Sequence, residues 1–172
     1  MEKTIWTIGH STRSIEEFIE ILNSFSIELL VDVRSYPGSR RYPQFNIENL
    51  SVSLPENGIR YLHMKNLGGR RKPDKNSVNT GWKNDAFKGY ADYMETDGFK
   101  EGIDKLTDLA LREKTSIMCA EALWWRCHRS LISDYLKFKG WSVFHITAKD
   151  KAEEHPFTKP ARINRGRLFY ND

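Results

Sequence analysis

The chain has 172 residues, of which 39% are hydrophobic and 29% charged, and its formal net charge is +4. This balance is typical of one folded domain and excludes a disordered chain; no apolar run approaches the ~20 residues that span a bilayer. Two cysteines are too few for a disulfide scaffold. The N-terminus lacks the apolar core of a signal peptide, so we expect a cytoplasmic protein with no membrane partner.

Predicted strands and helices alternate along the chain. In chain order they are a strand over 4–9, a helix after Ser14, a strand over 27–33, a helix over 46–54, a strand over 59–64, a helical region over 89–113, a strand over 115–120, a helix over 126–139 and a strand over 141–147. Ser14 and Glu17 form a capping box, and Asp97-Gly98 is expected to break the long helical region. The polar stretch 65–87 has no period and predicts a functional or mobile loop.

The near-continuous apolar character of the strands indicates a parallel sheet that is covered on both faces. We therefore predict an α/β fold: a mainly parallel five-stranded sheet with helices on both faces, with Rossmann-like or flavodoxin-like layering and a strand order near 3-2-1-4-5. Residues 1–150 are expected to form a single α/β domain. Residues 151–172 are expected to form a basic C-terminal tail packed on the domain or extending from it.

Candidate site residues follow four of the predicted strands. Ligands of open parallel sheets bind beyond the carboxyl ends of the strands. The polar or glycine positions at those ends are His10 and Ser11 after the first strand, Asp32 and Arg34 after the second, Gly68 and Gly69 after the third, and Cys119 and Glu121 after the fourth. If the first and fourth strands are neighbours, these residues converge at one rim of the sheet.

The segment that ends in His128 and Arg129 predicts an anion site. Positive side chains in the first turn of a helix oppose the helix dipole, at a cost of a few tenths of a kcal/mol each. A bound anion would reverse the sign of this effect, and Arg129 could clamp it in a bidentate way. In the alternative interpretation, the neighbouring Arg126 simply points to solvent.

Cys127 lies in the same predicted turn. Amide dipoles and nearby cations lower the pKa of a thiol and would make Cys127 a nucleophile, whereas a packed Cys127 would be inert. Cys119 could pair with it as a redox couple, although Cys-x7-Cys is not a recognised redox spacing. A zinc site that uses Cys119, Cys127 and His128, with His10 as a further ligand, is disfavoured, because adjacent helical residues diverge by about 100°. We expect no metal and no cofactor.

Acid–base chemistry has two candidate carboxylates. Glu121 or Asp32 could act as a general base with assistance from His10, and Asp32 could instead orient Arg34. The alternative is an ion-pair network of Asp32, Arg34, Glu121 and Arg129 that only shapes the rim.

Two loops combine arginine with aromatic or glycine residues. They contain Arg40, Arg41 and Tyr42 in the first loop, and Arg70 and Arg71 in the second. Stacking together with positive charge is how proteins hold single strands or exposed bases, although both loops could also be solvated surface. Trp124 and Trp125 could stack on a base, belong to the core or mediate self-association.

These motifs, taken in order, resemble the family called domain of unknown function 488. They are Thr7-Ile-Gly-His-Ser11, Asp32-Val-Arg34, Leu67-Gly-Gly69, Cys119-Ala-Glu121 and Cys127-His-Arg129. The resemblance covers nearly the whole chain and implies an α/β domain, but no established reaction. The spacer Ala122-Leu-Trp-Trp-Arg126 departs from the more polar spacer expected in relatives.

Two hypotheses for function remain open. The first is an enzyme of hydrolytic or group-transfer type that acts on a nucleotide or nucleic-acid base. No glycine fingerprint for a dinucleotide follows the first strand, which disfavours redox chemistry. The second is a non-catalytic nucleic-acid-binding module that uses the basic and aromatic loops; a small-ligand sensor is a further alternative. The partner would be an anionic small molecule or a nucleic acid.

Overall fold

The apolar runs of the chain form the strands of a six-stranded sheet in the computed structural model, which describes residues 2–172. The strands are β1 (Thr4–Gly9), β2 (Leu29–Asp32), β3 (Arg60–His63), β4 (Thr115–Cys119), β5 (Ser142–Ala148) and β6 (Lys151–Glu154), with β7 (Arg162–Asn164) and β8 (Arg167–Phe169) forming a separate hairpin. The helices are α1 (Ile15–Ser24), α2 (Ile47–Glu56), α3 (Asp85–Tyr93), α4 (Asp97–Arg112) and α5 (Arg129–Phe138). Within residues 2–172, every helix is too short or too polar to cross a bilayer.

Side-chain caps begin most of the helices. Ser14 Oγ accepts a hydrogen bond from the Glu17 amide at 3.1 Å, which confirms the predicted cap of α1. The predicted break near Asp97 separates α3 from α4, where Thr96 caps the new helix. α5 differs: it begins at Arg129, later than predicted, because residues 124–126 form a short 3-10 turn, and its N-cap His128 makes no side-chain capping bond.

Helices cover both faces of the sheet, as predicted. Buried residues of α1 and α2 pack in one apolar cluster, and buried residues of α3, α4 and α5 pack in another. Successive residues of β2 alternate between the two: Leu29 and Val31 join the second cluster, and Leu30 joins the first. All four residues of β2 are buried, which explains the apolar run of its first three residues, Leu29–Val31.

The strand order is β3-β2-β4-β1-β5-β6, with β1 to β5 parallel. The predicted adjacency of β1 and β4 is present, but these two strands exchange places relative to the expected order, and a sixth strand is added. The alternation of strands and helices in the sequence cannot determine whether β1 or β4 lies next to β2, because both strands are largely apolar. The exchange places the end of β4 between β1 and β2: Cys119 lies opposite Gly9 of β1, and Met118 lies opposite Asp32 of β2.

The C-terminal residues add to the domain. β6 pairs antiparallel with β5, and Tyr170 is only 2% exposed in the core. The residues of β6, Lys-Ala-Glu-Glu, are all exposed, so no apolar pattern marked this edge strand.

Candidate functional site

The centre of the sheet has the topology at which ligands bind in open α/β folds. β1 and β4 are neighbours, yet the helix after β1 packs on one face and the helix after β4 packs on the other. The chain therefore opens a crevice between the carboxyl ends of β1 and β4. The residues predicted from strand ends lie around this switch point.

A cavity of about 220 Å³ lies in this crevice, and we call it the thiol pocket. It is lined by Arg34, Ser35, Tyr36, Gly69, Arg70, Cys119, Ala120, Glu121, Cys127 and His128. Six of these residues are predicted site residues that the fold brings together: Arg34, Gly69, Cys119, Glu121, Cys127 and His128. Arg70, predicted as a nucleic-acid contact, joins them.

The two cysteines face each other in the thiol pocket. Their Sγ atoms are 2.9 Å apart, although seven residues separate them in sequence. Cys119 is 2% exposed at the end of β4, and Cys127 is partly exposed in the turn before α5. The Arg129 backbone amide donates to Cys127 Sγ at 3.4 Å. The two cysteines are therefore close in space, although their spacing in the sequence disfavoured a pair.

The surroundings make the two thiols unequal. Burial alone would raise the pKa of Cys127, but the hydrogen bond from Cys119 and the nearby charge and amide of Arg129 outweigh it and lower that pKa to about 7. Burial and the same hydrogen bond raise the pKa of Cys119 well above its ordinary value. Of the two thiols, Cys127 therefore ionises first, and Cys119 can donate a hydrogen bond to its thiolate.

Glu121 and His128 supply the pocket with proton acceptors. Glu121 is exposed, and its carboxylate makes no hydrogen bond or ion pair within residues 2–172. His128 Nε2 donates to the Val33 carbonyl at 2.8 Å, which leaves Nδ1 unprotonated beside Gly69. Burial lowers the pKa of His128 to about 4, so the ring is neutral at pH 7. A side chain at position 69 would approach Nδ1 to 3.0 Å.

Arg129 has different partners from those expected of an anion clamp. It is 1% exposed and lies outside the pocket lining. Its Nη2 donates to the carbonyls of Glu121 and Ala122 at 3.0 and 3.2 Å, and its Nη1 donates to Thr7 Oγ1 at 3.3 Å. The guanidinium therefore ties the turn after β4 to β1. The positive charge of Arg129 at the start of α5 is thus directed at backbone carbonyls beneath the pocket.

Asp32 orients Arg34. The carboxylate is 0% exposed and accepts from Arg34 Nε at 2.9 Å, from Arg34 Nη2 at 2.7 Å and from the Tyr61 hydroxyl at 2.6 Å. Of the two roles left open for Asp32, this geometry matches orientation rather than base chemistry. Arg34 Nη1 donates to His10 Nε2 at 3.3 Å. Burial lowers the pKa of His10 to about 4, and its ring stacks on Phe45.

The first strand approaches the pocket floor closely. A Cβ at Gly9 would lie 1.7 Å from the Glu121 carbonyl oxygen, so only glycine fits there. Ser11 follows with a φ of 53°, and its amide donates to the Ala120 carbonyl at 2.9 Å. Neither Ser11 nor Gly68 lines the cavity, and a Cβ at position 68 would clash with Ser35 Oγ.

A chain of buried polar residues lies beside the pocket and was not predicted from the sequence. Thr7 Oγ1 donates to His145 Nδ1, His145 Nε2 donates to His155 Nδ1 at 2.8 Å, and His155 Nε2 donates to Asp134 at 2.7 Å. These four residues form the buried histidine network, and Arg129 donates to it at Thr7 Oγ1. All its members are at most 1% exposed. Its residues come from four separate elements or loops, so no spacing in the sequence marks it.

The two tryptophans of the spacer differ in environment. The Trp124 ring stacks on His145 with centroids 4.5 Å apart, and its Nε1 donates to Glu153 at 3.0 Å. It thus covers the buried histidine network. Trp125 is 50% exposed.

The predicted nucleic-acid contacts divide into two places. Arg40 and Arg41 are exposed in the loop after β2 and do not line the pocket, and Arg41 lies over the Tyr42 ring at 5.9 Å. Arg70 lies over Tyr36 at 5.5 Å at the pocket. Arg71 packs on Tyr93 at 3.6 Å. Within residues 2–172, no three His, Cys, Asp or Glu side chains are grouped as metal ligands.

One of three comparisons with known proteins found a match. Searches among curated proteins and among solved structures found no match. The family model described as "Domain of unknown function DUF488" matches residues 14–136, which is over two thirds of the chain. The matched range includes Asp32, Arg34 and the pocket residues from Gly69 to His128. The chain therefore belongs to the DUF488 family, as its motifs indicated.

Proposed function

We propose that the protein is an enzyme of hydrolytic or group-transfer type that acts on a nucleotide or nucleic-acid base and uses Cys127 as its nucleophile. One observation carries this proposal: Cys127 lines a cavity at the sheet's switch point, and its surroundings favour the thiolate. A thiolate at neutral pH is the reactive form of cysteine.

The remaining pocket residues supply complementary roles. Arg34 and Arg70 provide positive charge toward a phosphate, and Tyr36, 65% exposed, offers a ring face to a base. Asp32 and His10 hold Arg34 in place and are positioning residues. Arg129 holds the turn that carries Glu121.

The proposed reaction has two steps. Cys127 Sγ attacks an electrophilic centre of the substrate, a bond to sulfur forms, the bond to the leaving group breaks, and the leaving group takes a proton from water. Water, or an acceptor hydroxyl, then attacks the intermediate while the Glu121 carboxylate takes its proton. The bond to sulfur breaks, and the thiolate is restored.

Protection of Cys127 from iodoacetamide tests ligand binding in the pocket. We expect adenosine monophosphate to slow alkylation of Cys127 at lower concentration than inorganic phosphate does, because both base and phosphate are held. Arg70→Gln should weaken this protection by about tenfold, the effect of one charge-assisted contact. Arg112→Gln, an exposed arginine at the far end of α4, should leave it unchanged. If neither compound protects at millimolar concentration, the substrate class is wrong.

A non-catalytic nucleic-acid-binding module is the second candidate. The observation that favours it is Tyr36, whose exposed ring has both Lys65 and Arg70 over it at 5.5 Å. Under this hypothesis, a fluorescent single-stranded oligonucleotide should bind with an affinity that falls steeply with salt. Tyr36→Ala and the pair Arg40→Ala/Arg41→Ala should abolish binding, whereas Glu121→Gln should not change it. Binding that is independent of all these variants would remove this candidate.

A further inference from the structure

The two cysteines are placed so that a small movement would join them. Their Sγ atoms are 2.9 Å apart. A disulfide has a sulfur–sulfur distance of about 2.05 Å, so bond formation requires an approach of roughly 0.9 Å. Cys127 is partly exposed and lies in the irregular turn before α5, so a movement of its side chain and of this turn can supply the approach.

The pair is also asymmetric in access. Cys127 is partly exposed to the pocket, whereas Cys119 lies behind it and is 2% exposed. A reagent that enters the pocket therefore meets Cys127 first, and Cys119 can react only with what has formed on Cys127. This is the arrangement of an attacking thiol with a resolving thiol next to it.

We propose that Cys127 and Cys119 form an oxidation site for a peroxide, which converts the pair into an intramolecular disulfide at the floor of the thiol pocket. This activity goes beyond the proposed group transfer. It depends on the placement of the two sulfurs and needs no nucleotide.

The steps balance with the peroxide as the oxidant. Cys127 thiolate attacks one peroxide oxygen, a sulfur–oxygen bond forms, the oxygen–oxygen bond breaks, and the departing oxygen takes a proton to become an alcohol or water. Cys119 sulfur then attacks the sulfenic sulfur of Cys127. The sulfur–sulfur bond forms, the hydroxide leaves, and it takes the Cys119 proton to become water. Two thiols are oxidised, and one peroxide is reduced.

Disulfide formation would remove the thiolate from the pocket. In the oxidised protein, the Cys127 sulfur is bonded to the Cys119 sulfur and is no longer a nucleophilic thiolate. The oxidised chain should therefore resist iodoacetamide until a dithiol reductant restores both thiols.

Intact-mass measurement on the full chain tests the proposal. After treatment of the reduced protein with one equivalent of hydrogen peroxide, we expect the loss of the mass of two hydrogen atoms, no iodoacetamide labelling and one peptide that links Cys119 to Cys127. Free thiols on both cysteines after peroxide, a stable sulfenic acid on Cys127 or a disulfide between two chains would each overturn it.

Single-cysteine variants locate the roles. Cys119→Ser should halt the reaction at Cys127 sulfenic acid, seen as the added mass of one oxygen atom and captured by dimedone. Cys127→Ser should leave Cys119 reduced, because Cys119 is shielded. Dimedone capture on Cys119 in Cys127→Ser would reverse the assigned roles. Failure of nucleotide protection leaves these masses unaffected, so the two proposals fail separately.

Discussion

The buried histidine network and the thiol pocket lie on either side of Arg129, yet their polar atoms are satisfied to different degrees. In the network, Asp134 accepts from His155, from the amide and hydroxyl of Thr158 and from the Tyr170 hydroxyl. In the pocket, the Glu121 carboxylate has no hydrogen-bond partner in the part of the chain that the structure describes.

This difference separates polar residues that stabilise the fold from those that can act on a ligand. A buried group whose hydrogen bonds are all made holds its neighbours in place, and it has no free electron pair or proton to offer. The network therefore fixes Arg129, and Arg129 fixes the turn that carries Glu121. Judged by residue type alone, a chain of Thr, His, His and Asp would be interpreted as a catalytic site and not as a structural network.

The largest effect should follow from Asp134→Ala. Removing the carboxylate leaves the donors of His155, Thr158 and Tyr170 without a partner in the core, and each unsatisfied group costs about 1–3 kcal/mol. We expect urea denaturation to show that the free energy of unfolding falls by at least about 3 kcal/mol. Asp108→Ala, an exposed aspartate of α4, is the control and should change it little. Equal effects of the two variants would contradict the role of the network.

A pH effect on stability should follow from the buried neutral histidines. Burial lowers the pKa of His145 to about 2 and that of His10 to about 4, whereas an unfolded histidine titrates near 6.5. Between these values the unfolded chain binds more protons, so the free energy of unfolding falls as the pH falls below about 6.5. We expect a loss of about 2 kcal/mol or more from pH ~7 to pH ~5, measured by urea denaturation.

The variant His10→Asn should reduce this pH dependence. Its side-chain amide can replace the Nδ1 donor to the Ser11 carbonyl, and it cannot take up a proton. A slope that is unchanged in His10→Asn would show that His10 is not among the groups responsible.

A smaller effect should follow from Cys119→Ala in the pocket. The variant removes the hydrogen bond that stabilises the Cys127 thiolate. We expect the pKa of Cys127, measured from the pH dependence of alkylation, to rise by about one pH unit, which corresponds to one hydrogen bond to a charged group. A pKa that does not change would mean that Cys119 is not the donor.

The smallest effect on stability should come from Glu121→Gln. The carboxylate is exposed and makes no bond within residues 2–172, so the free energy of unfolding should change by less than about 0.5 kcal/mol. Thermal or urea unfolding checks this expectation. A large loss would place Glu121 in the structural ion-pair network that the sequence left open as an alternative.

Strand and helix patterning predicted the layers and the adjacency of β1 and β4. The parallel sheet is enough to bring Cys119, Glu121 and Arg34 to one rim, because all three lie at or after the carboxyl ends of strands. It could not decide whether β1 or β4 lies next to β2, since both strands are apolar. The exposed residues of β6 also gave no period to detect.

Side-chain direction was beyond the reach of the sequence. The motif Cys127-His-Arg129 predicts three polar residues near a helix start, but only packing determines that Arg129 turns beneath the pocket and that Cys127 meets Cys119. His145 and His155 could not be predicted as partners, because only the pairing of β5 with β1 and the packing of the C-terminal segment against Asp134 bring them together.

The pH dependence of iodoacetamide alkylation at Cys127 tests the central claim most directly. In the reduced wild-type chain, Cys119 is shielded, so we expect the label on Cys127. Peptide mapping identifies the labelled cysteine. We expect a rate that rises to half its maximum at a pH of about 7, the pKa of the Cys127 thiol. A midpoint at or above ~8.5, the value of a free thiol, would contradict an activated nucleophile in the thiol pocket.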